Sequence, residues 1–229
     1  MLDRLIEQAP TFFTASNGAF LLAALGRTLL MTAIGCSLGF LFGLGIAVLR
    51  RTRARALAPA RIAAMLMVET FRRLPFLVIL ILVLFGTQIL APELSLLGIA
   101  TVAVTLAATA FLSEIIRAGL ESVPRAQSEG AEALNLSARQ IFWLVVLPQS
   151  WRVILPPAAA FMVMFIKDTS LASHLGIVEL TFSGKILVNR GFSPVLGFGA
   201  VLLLYYALSW PLGRLAARLE DRLAPSRNP

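Results

Sequence analysis

The chain has 229 residues, 58% of them hydrophobic and 14% charged. Soluble domains run at roughly 45–50% apolar and 25% charged residues, so a soluble fold is excluded; apolar blocks of about 20 residues instead read as a polytopic helical membrane protein. The formal net charge of +8 is read as the basic excess of cytoplasmic loops and not as a nucleic-acid footprint, while one cysteine (Cys36) and one histidine (His174) exclude a disulfide framework and a Cys- or His-based metal cluster.

Residues 1–17 are mixed and mildly amphipathic, with Asp3, Arg4 and Glu7, and are expected to lie at a membrane surface. They lack a basic region followed at once by a short apolar core, so no cleaved signal peptide is expected. The first span falls within 20–49, with Arg27 expected at its outer end and the helix proper starting near Thr28. Gly35, Gly39 and Gly43 recur at four-residue spacing inside it. Such small residues let helices approach closely in lipid, and ordinary bundle packing is their reading. Arg50, Arg51, Arg53, Arg55 and Arg61 follow and assign this end to the cytoplasm, which leaves the N-terminus outside.

The second apolar block, 62–90, is too long for one plain span and is interrupted by Glu69-Thr70-Phe71-Arg72-Arg73-Leu74-Pro75. Proline cannot continue the helical hydrogen bonding, so a break is expected at Pro75. The part before it is expected along or in the inner leaflet, with 76–90 completing the crossing. Residues 91–93 form an outer turn, and a third span covers 96–120.

The stretch 121–149 is the longest run that cannot sit in a bilayer, and it reads as two short helices joined by a turn. Asn135 sits at the turn, since Asn tolerates the left-handed conformation that ends many helices. Ser137 with Gln140 three residues later is a capping-box pattern. A fourth span is expected to start near Pro156, its end blurred by Lys167, Asp168, Thr169 and Ser170. Residues 181–193 read as an outer loop with an amphipathic piece, 194–212 as the fifth span, and a tail with Arg214, Arg218, Arg222 and Arg227 as cytoplasmic. Of the basic residues outside the spans, only Arg4, Lys185 and Arg190 then fall outside the cell, an asymmetry that sets the orientation. The expected fold is all-α: about five transmembrane helices, N-terminus outside, C-terminus cytoplasmic, in one transmembrane domain over 1–229, without internal repeat or soluble domain.

Two groups of residues carry possible function. In the loop, Gly130, Ala131, Ala133 and Ala138 are small, as suits a helix pressed into a partner's groove, and Glu129 and Glu132 can pair with basic residues there. Within the spans, charge at membrane depth faces a cavity or a partner. Asp168 lies eleven residues after Pro157, about 17 Å along a helix and near mid-depth. Glu69 and Asp168 could therefore face a translocation path, or pair internally, Glu69 with Arg72 or Arg73 at helical spacing. Arg72, Glu114 and Arg117 are expected to form structural ion pairs. Lys167 either neutralises Asp168 or snorkels outward. Thr169 and Ser170 are hydrogen-bond donors for a substrate or for their own helix, and His174 is a boundary residue. No catalytic set, metal site or cofactor site emerges.

Four segments in order resemble the permease subunit of bacterial ATP-binding-cassette importers of the polar amino acid branch. Glu69-Thr70-Phe71-Arg72-Arg73-Leu74-Pro75 looks like the branch's E-x-F-R-x-x-P element, and 113–124 like the segment that leads into its cytoplasmic loop. Glu129-Gly130-Ala131, then Asn135, then Leu147-Pro148-Gln149 resemble the loop's E-A-A, glycine and L-P elements; Lys167-Asp168-Thr169-Ser170-Leu171 resembles its K-D-T-S-L element. Gly130 departs from the family's alanine and Asn135 from its glycine. Gly130 weakens a helix by up to about 1 kcal/mol relative to Ala, and both departures should leave docking intact if small size and turn geometry are what the loop requires. The resemblance implies a type I importer bundle in the bacterial inner membrane, with 121–149 as a coupling loop to a dimer of cytoplasmic ATP-binding subunits. It also implies a second permease chain, identical or paralogous, and a periplasmic or tethered solute-binding protein that delivers a small polar solute, most naturally an amino acid. The chain has no G-x-x-x-x-G-K-[ST] phosphate loop, so the ATPase is expected on another chain. A stand-alone secondary transporter or channel is the alternative, disfavoured by five spans without an inverted repeat.

Overall fold

The computed structural model describes residues 2–52 and 54–223, with side chains from residue 5 onward. Arg53, Arg227 and the side chains of Asp3 and Arg4, all used in the sequence reading, lie outside the described residues. No strand occurs among the described residues.

Helices α1 (Leu2–Phe12) and α2 (Ala15–Arg51) meet at an elbow. Thr14 caps α2 by accepting the Asn17 N–H, and the buried Asn17 amide donates back to the Phe12 carbonyl at 3.1 Å. At 37 residues, α2 is about 55 Å long, well beyond a hydrocarbon core of about 30 Å. The expectation that the helix starts near Thr28 is therefore corrected. Arg27 lies inside it, tolerated because its guanidinium donates to the Val178 carbonyl at 2.9 Å.

Helix α5 (Leu96–Glu121), capped by Ser95 at Gly98 N–H, runs along α2 as its main partner. The glycines of α2 make that possible. A Cβ placed on Gly39 would stand 2.5 Å from the Ala108 Cβ, and one on Gly43 would stand 2.9 Å from the Ser113 nitrogen. On α5 the face that meets these glycines carries Val104, Ala108 and Ser113, all buried. Backbones thus meet with little side chain between them, the contact that drives helix association in lipid.

The broken segment is as expected. Helix α3 (Ala58–Arg73) ends where Leu74 becomes extended (φ −88°, ψ 138°), as steric conflict with the Pro75 ring requires, and α4 (Phe76–Leu90) begins after the proline. Only Val68 of α3 is buried. The fifteen residues of α4 reach about 22 Å, so it is a short apolar helix beside four that are long and apolar enough to cross a membrane: Ala15–Arg51, Leu96–Glu121, Ala138–Leu175 and Pro194–Leu223.

Three expectations beyond Glu121 are corrected. The helix that carries the fourth span starts well before Pro156. Helix α7 (Ala138–Gln140) passes through a widened π segment (Ile141–Val146) into α8 (Leu147–Asp168), which contains Pro156 and Pro157. The π segment sits just before Pro148, whose nitrogen cannot bond to the preceding turn, and widening accommodates that gap. Most of 181–193, expected as a loop with an amphipathic piece, is helical: helix α9 (Leu180–Asn189) takes it up to Asn189, leaving a turn at 190–193, and is packed inward through buried Leu180, Ser183, Gly184 and Leu187. Small residues on both sides explain this, since a Cβ on Gly184 would lie 2.8 Å from Val201 on α10 (Pro194–Leu223). The expected tail is the continuation of α10 to Leu223, with Arg214 stacked 4.0 Å over the Trp210 ring.

Candidate functional site

The 121–149 stretch is built from local rules. Helix α6 (Arg125–Ala133) ends in a Schellman turn: Leu136 N–H donates to Ala131 C=O at 3.2 Å and Asn135 N–H to Glu132 C=O at 2.9 Å. That pattern needs a left-handed residue, and Asn135 supplies it at φ 57°. One residue later Ser137 and Gln140 cap each other's backbone N–H groups in a capping box. Inserted between two caps, the turn has a defined shape. Ala131 is buried against Ile141, Val146 and Leu147, so this one small residue of the expected docking face points into the chain's own bundle. Glu129, Gly130, Glu132, Ala133, Leu134 and Asn135 are exposed. Leu134, 75% exposed, is an apolar tip that sequence reasoning passed over. Nothing lies within 4 Å of a Cβ built on Gly130, so no contact within the chain demands glycine there.

Beside this loop the ends of α2, α3 and α5 are tied by one carboxylate. Glu114 pairs with Arg117 on its own helix, with Arg50 on α2 at 2.8 Å and with Arg72 on α3 at 3.9 Å. Arg117 also pairs with Glu121, and Arg51 donates to the Leu120 carbonyl at 2.8 Å. The Glu114–Arg117 pair follows from helical spacing; Arg50 does not, being 64 residues away. Glu69 pairs with Arg73 at 2.9 Å, one turn along α3, and both remain well exposed.

At the far end of α8 the residues 167–170 form a helix-to-3₁₀ junction. Asp168 closes α8, and a 3₁₀ segment (Thr169–Leu175) runs to Gly176, whose φ of 76° turns the chain. Lys167 is exposed, Asp168 and Ser170 half-buried. Thr169 is fully buried and its hydroxyl donates to the Ile166 carbonyl at 2.6 Å, so it serves its own helix. An aromatic cluster, with Phe76 edge-on to Phe165 at 4.9 Å and Phe111 stacked on Phe161 at 5.4 Å, joins α4, α8 and α5.

Just beyond the 3₁₀ segment is a carboxylate that sequence reasoning missed. Glu179 is fully buried and caps α9, accepting the Thr181 and Phe182 N–H groups at 2.9 and 2.7 Å and the Tyr205 hydroxyl at 2.9 Å. Burial pushes its carboxyl above the ordinary range; the two N–H groups, Tyr205 and the Lys185 charge oppose that push in part. Its signal in the sequence was weak: one acidic residue in an apolar run, with no basic residue within four positions.

The bundle matches solved structures. It superposes with a TM-score of 0.81 on a chain of an amino acid ABC transporter crystallised with histidines, at 23% identity over 90% of this chain and 95% of that one. A probable glutamine ABC transporter permease protein, GlnP of Bacillus subtilis, is 34% identical, covering 92% of this chain and 96% of its own. The glutamate transport system permease protein GluD of Corynebacterium glutamicum is 30% identical, covering 91% and 76%. The description "binding-protein-dependent transport system inner membrane component" matches residues 39–225. With that match over most of its length, on this fold, the chain belongs to the binding-protein-dependent inner membrane components, as a multi-pass permease subunit of an ATP-driven importer.

Proposed function

We propose that this permease moves a polar amino acid across the inner membrane, and that residues 121–149 couple it to an ATPase carried on other chains. The family implies an ATPase partner and a solute-binding protein. In this reading the binding protein delivers the amino acid on the outer side, two permease chains form the pathway, and the N-terminus lies outside with the loop and the C-terminus in the cytoplasm. The whole chain acts as one permease domain. The observation that carries the coupling role is the exposed, doubly capped turn after α6, with Glu129, Gly130, Glu132 and Asn135 outward and Ala131 anchoring it. A passive connection has no need of two caps.

Continuity from loop to pathway supports the same reading. Helical structure runs from Ala138 through the π segment to Asp168, so a push on the loop is carried by a stiff element toward 167–170. Asp168, Lys167 and Ser170 line the substrate route in this proposal, with buried Thr169 holding the helix end behind them and Glu69 contributing nearer the Pro75 break. The relatives' names support an amino acid substrate, glutamine and glutamate among them. Glu114, Arg72 and Arg117 bracket the helices and touch no substrate.

The test is reconstitution in vesicles with the cognate ATPase and binding protein, against a panel of radiolabelled polar amino acids. ATP hydrolysis stimulated by one of them, with its uptake, is the expected result. Uptake that persists without the ATPase and follows an ion gradient would overturn the proposal and favour a stand-alone secondary transporter.

A further inference from the structure

Glu179 does more than cap a helix. The turn it belongs to, 176–180, is held from α2 and α10, and α9 ties back to the 3₁₀ segment before it. From α2, Arg27 donates to the Val178 carbonyl at 2.9 Å, and the buried Thr28 hydroxyl accepts the Leu180 N–H at 3.1 Å. From α10, the Tyr205 hydroxyl donates to Glu179 and lies 3.2 Å from the Thr181 hydroxyl. From α9, Lys185 reaches back to donate to the buried Ser173 hydroxyl at 3.1 Å, inside the 3₁₀ segment. Every one of these contacts falls within a few residues of 169–175, and that segment leads directly from Asp168.

A buried carboxylate that accepts three hydrogen bonds is strongly over-determined, since each donor would be left unsatisfied if it moved. The capping N–H groups come from α9 and the third donor from α10, so Glu179 ties the two helices together at the turn. The short Gly176 link, in the left-handed region at φ 76°, leaves little slack between that anchor and residues 169–175. We infer that Glu179, through Tyr205, is a positioning residue that sets where residues 168–170 stand relative to α2 and α10. This rests on the reading of 167–170 as substrate-lining. Glu179 itself touches no solute. It determines whether the lining is presented in register while the helices move.

Three variants separate this role from plain stability. Tyr205→Phe removes the α10 link and leaves both capping bonds. Glu179→Asp keeps a capping carboxylate but is one methylene too short to hold Tyr205 as well. Asp168→Asn tests the lining directly. Each is purified as the complex with the ATPase, reconstituted with the binding protein, and assayed with whichever of radiolabelled glutamine, glutamate, histidine or arginine the wild-type complex takes up. The readout is solute moved per ATP hydrolysed, per assembled complex. Loss of stability lowers the yield of complex without changing that ratio. A positioning role lowers the ratio in both Tyr205→Phe and Glu179→Asp by roughly 10- to 150-fold, the equilibrium shift expected when a hydrogen bond to a buried charge is lost. An unchanged ratio in Tyr205→Phe overturns the inference. An unchanged ratio in Asp168→Asn overturns the substrate-lining reading instead, whatever the other two variants do. Should Glu179→Asp fail to assemble, Tyr205→Phe alone decides.

Discussion

Gly130 is the sharpest test of the coupling loop. It lies in the interior of α6, is exposed, and an added Cβ would meet nothing within 4 Å. Within the chain, Gly130→Ala therefore brings only the helix-propensity gain, up to about 1 kcal/mol. For a chain of this size that raises Tm by roughly 2–4 °C. Gly130→Leu has nearly the same propensity and the same free space within the chain, so it should raise Tm almost as much. The two differ only toward a partner. If Gly130 faces a groove on the ATPase, alanine fits and leucine overpacks it, at about 1–3 kcal/mol, which weakens binding roughly 5- to 150-fold. Measured by titration of detergent-purified permease with the ATPase, beside a thermal melt of the permease alone, the Ala variant should melt higher and bind normally. The Leu variant should melt higher and bind poorly. Normal binding of the Leu variant would refute the exposed α6 face as the docking face. Lost binding in the Ala variant would refute small size as the property the loop requires.

Two further outcomes follow from the packing and the buried carboxylate. Gly39→Val places a side chain where a Cβ already stands 2.5 Å from Ala108 and 3.0 Å from backbone atoms of 108–109; it should destabilise by about 1–3 kcal/mol or more, seen as a lowered Tm, and an unchanged melt would mean that α2 and α5 do not meet in this register. Glu179 has a raised pKa with burial as its largest cause, Tyr205 and Lys185 being the ionisable groups that face it. Its folded state holds the proton more tightly, so the stability it contributes is complete below about pH 4.3 and is lost as pH rises through the raised value. Glu179→Gln, which does not titrate, should show a flatter decline of Tm above that point, and parallel profiles would refute the assignment.

Local rules were legible and long-range partners were not. The Pro75 break, the Asn135 turn and the Ser137–Gln140 box each depend on a few adjacent residues, so the sequence carries them whole. The Gly35-Gly39-Gly43 spacing was read as packing, though not as packing against Val104, Ala108 and Ser113 of α5. Helix ends were read poorly. In a soluble protein the loss of an apolar stripe marks the end of a helix; here α2 and α10 are apolar all round and continue past the point where charge begins. Arg27 was read as a terminus because a charge in a span is costly, and the carbonyl of Val178 removes that cost. Helix α9 was read as part of a loop with an amphipathic piece, whereas Gly184 lets it press against α10.

The misread positions share a physical form. Arg27 meets Val178 and Thr28 meets Leu180, 151 and 152 residues apart, Arg50 meets Glu114 across 64, and Glu179 meets Tyr205 across 26. None of these partners is within helical reach. Yet each could be known to exist, because an ionisable or strongly polar group buried among apolar helices must be compensated. In a chain of apolar spans, a lone charge is therefore better taken as half of an interhelical contact than as the boundary of a helix. Its partner then belongs at the same depth on another span. Applied to this chain, that rule keeps Arg27 inside α2 and turns Glu179 from a residue without a signal into a demand for a donor, which α10 meets with Tyr205. By the same rule Asp168 stands out. It is half-buried at the end of α8 and takes part in no ion pair among the described residues, which is the observation the proposed substrate-lining role draws on.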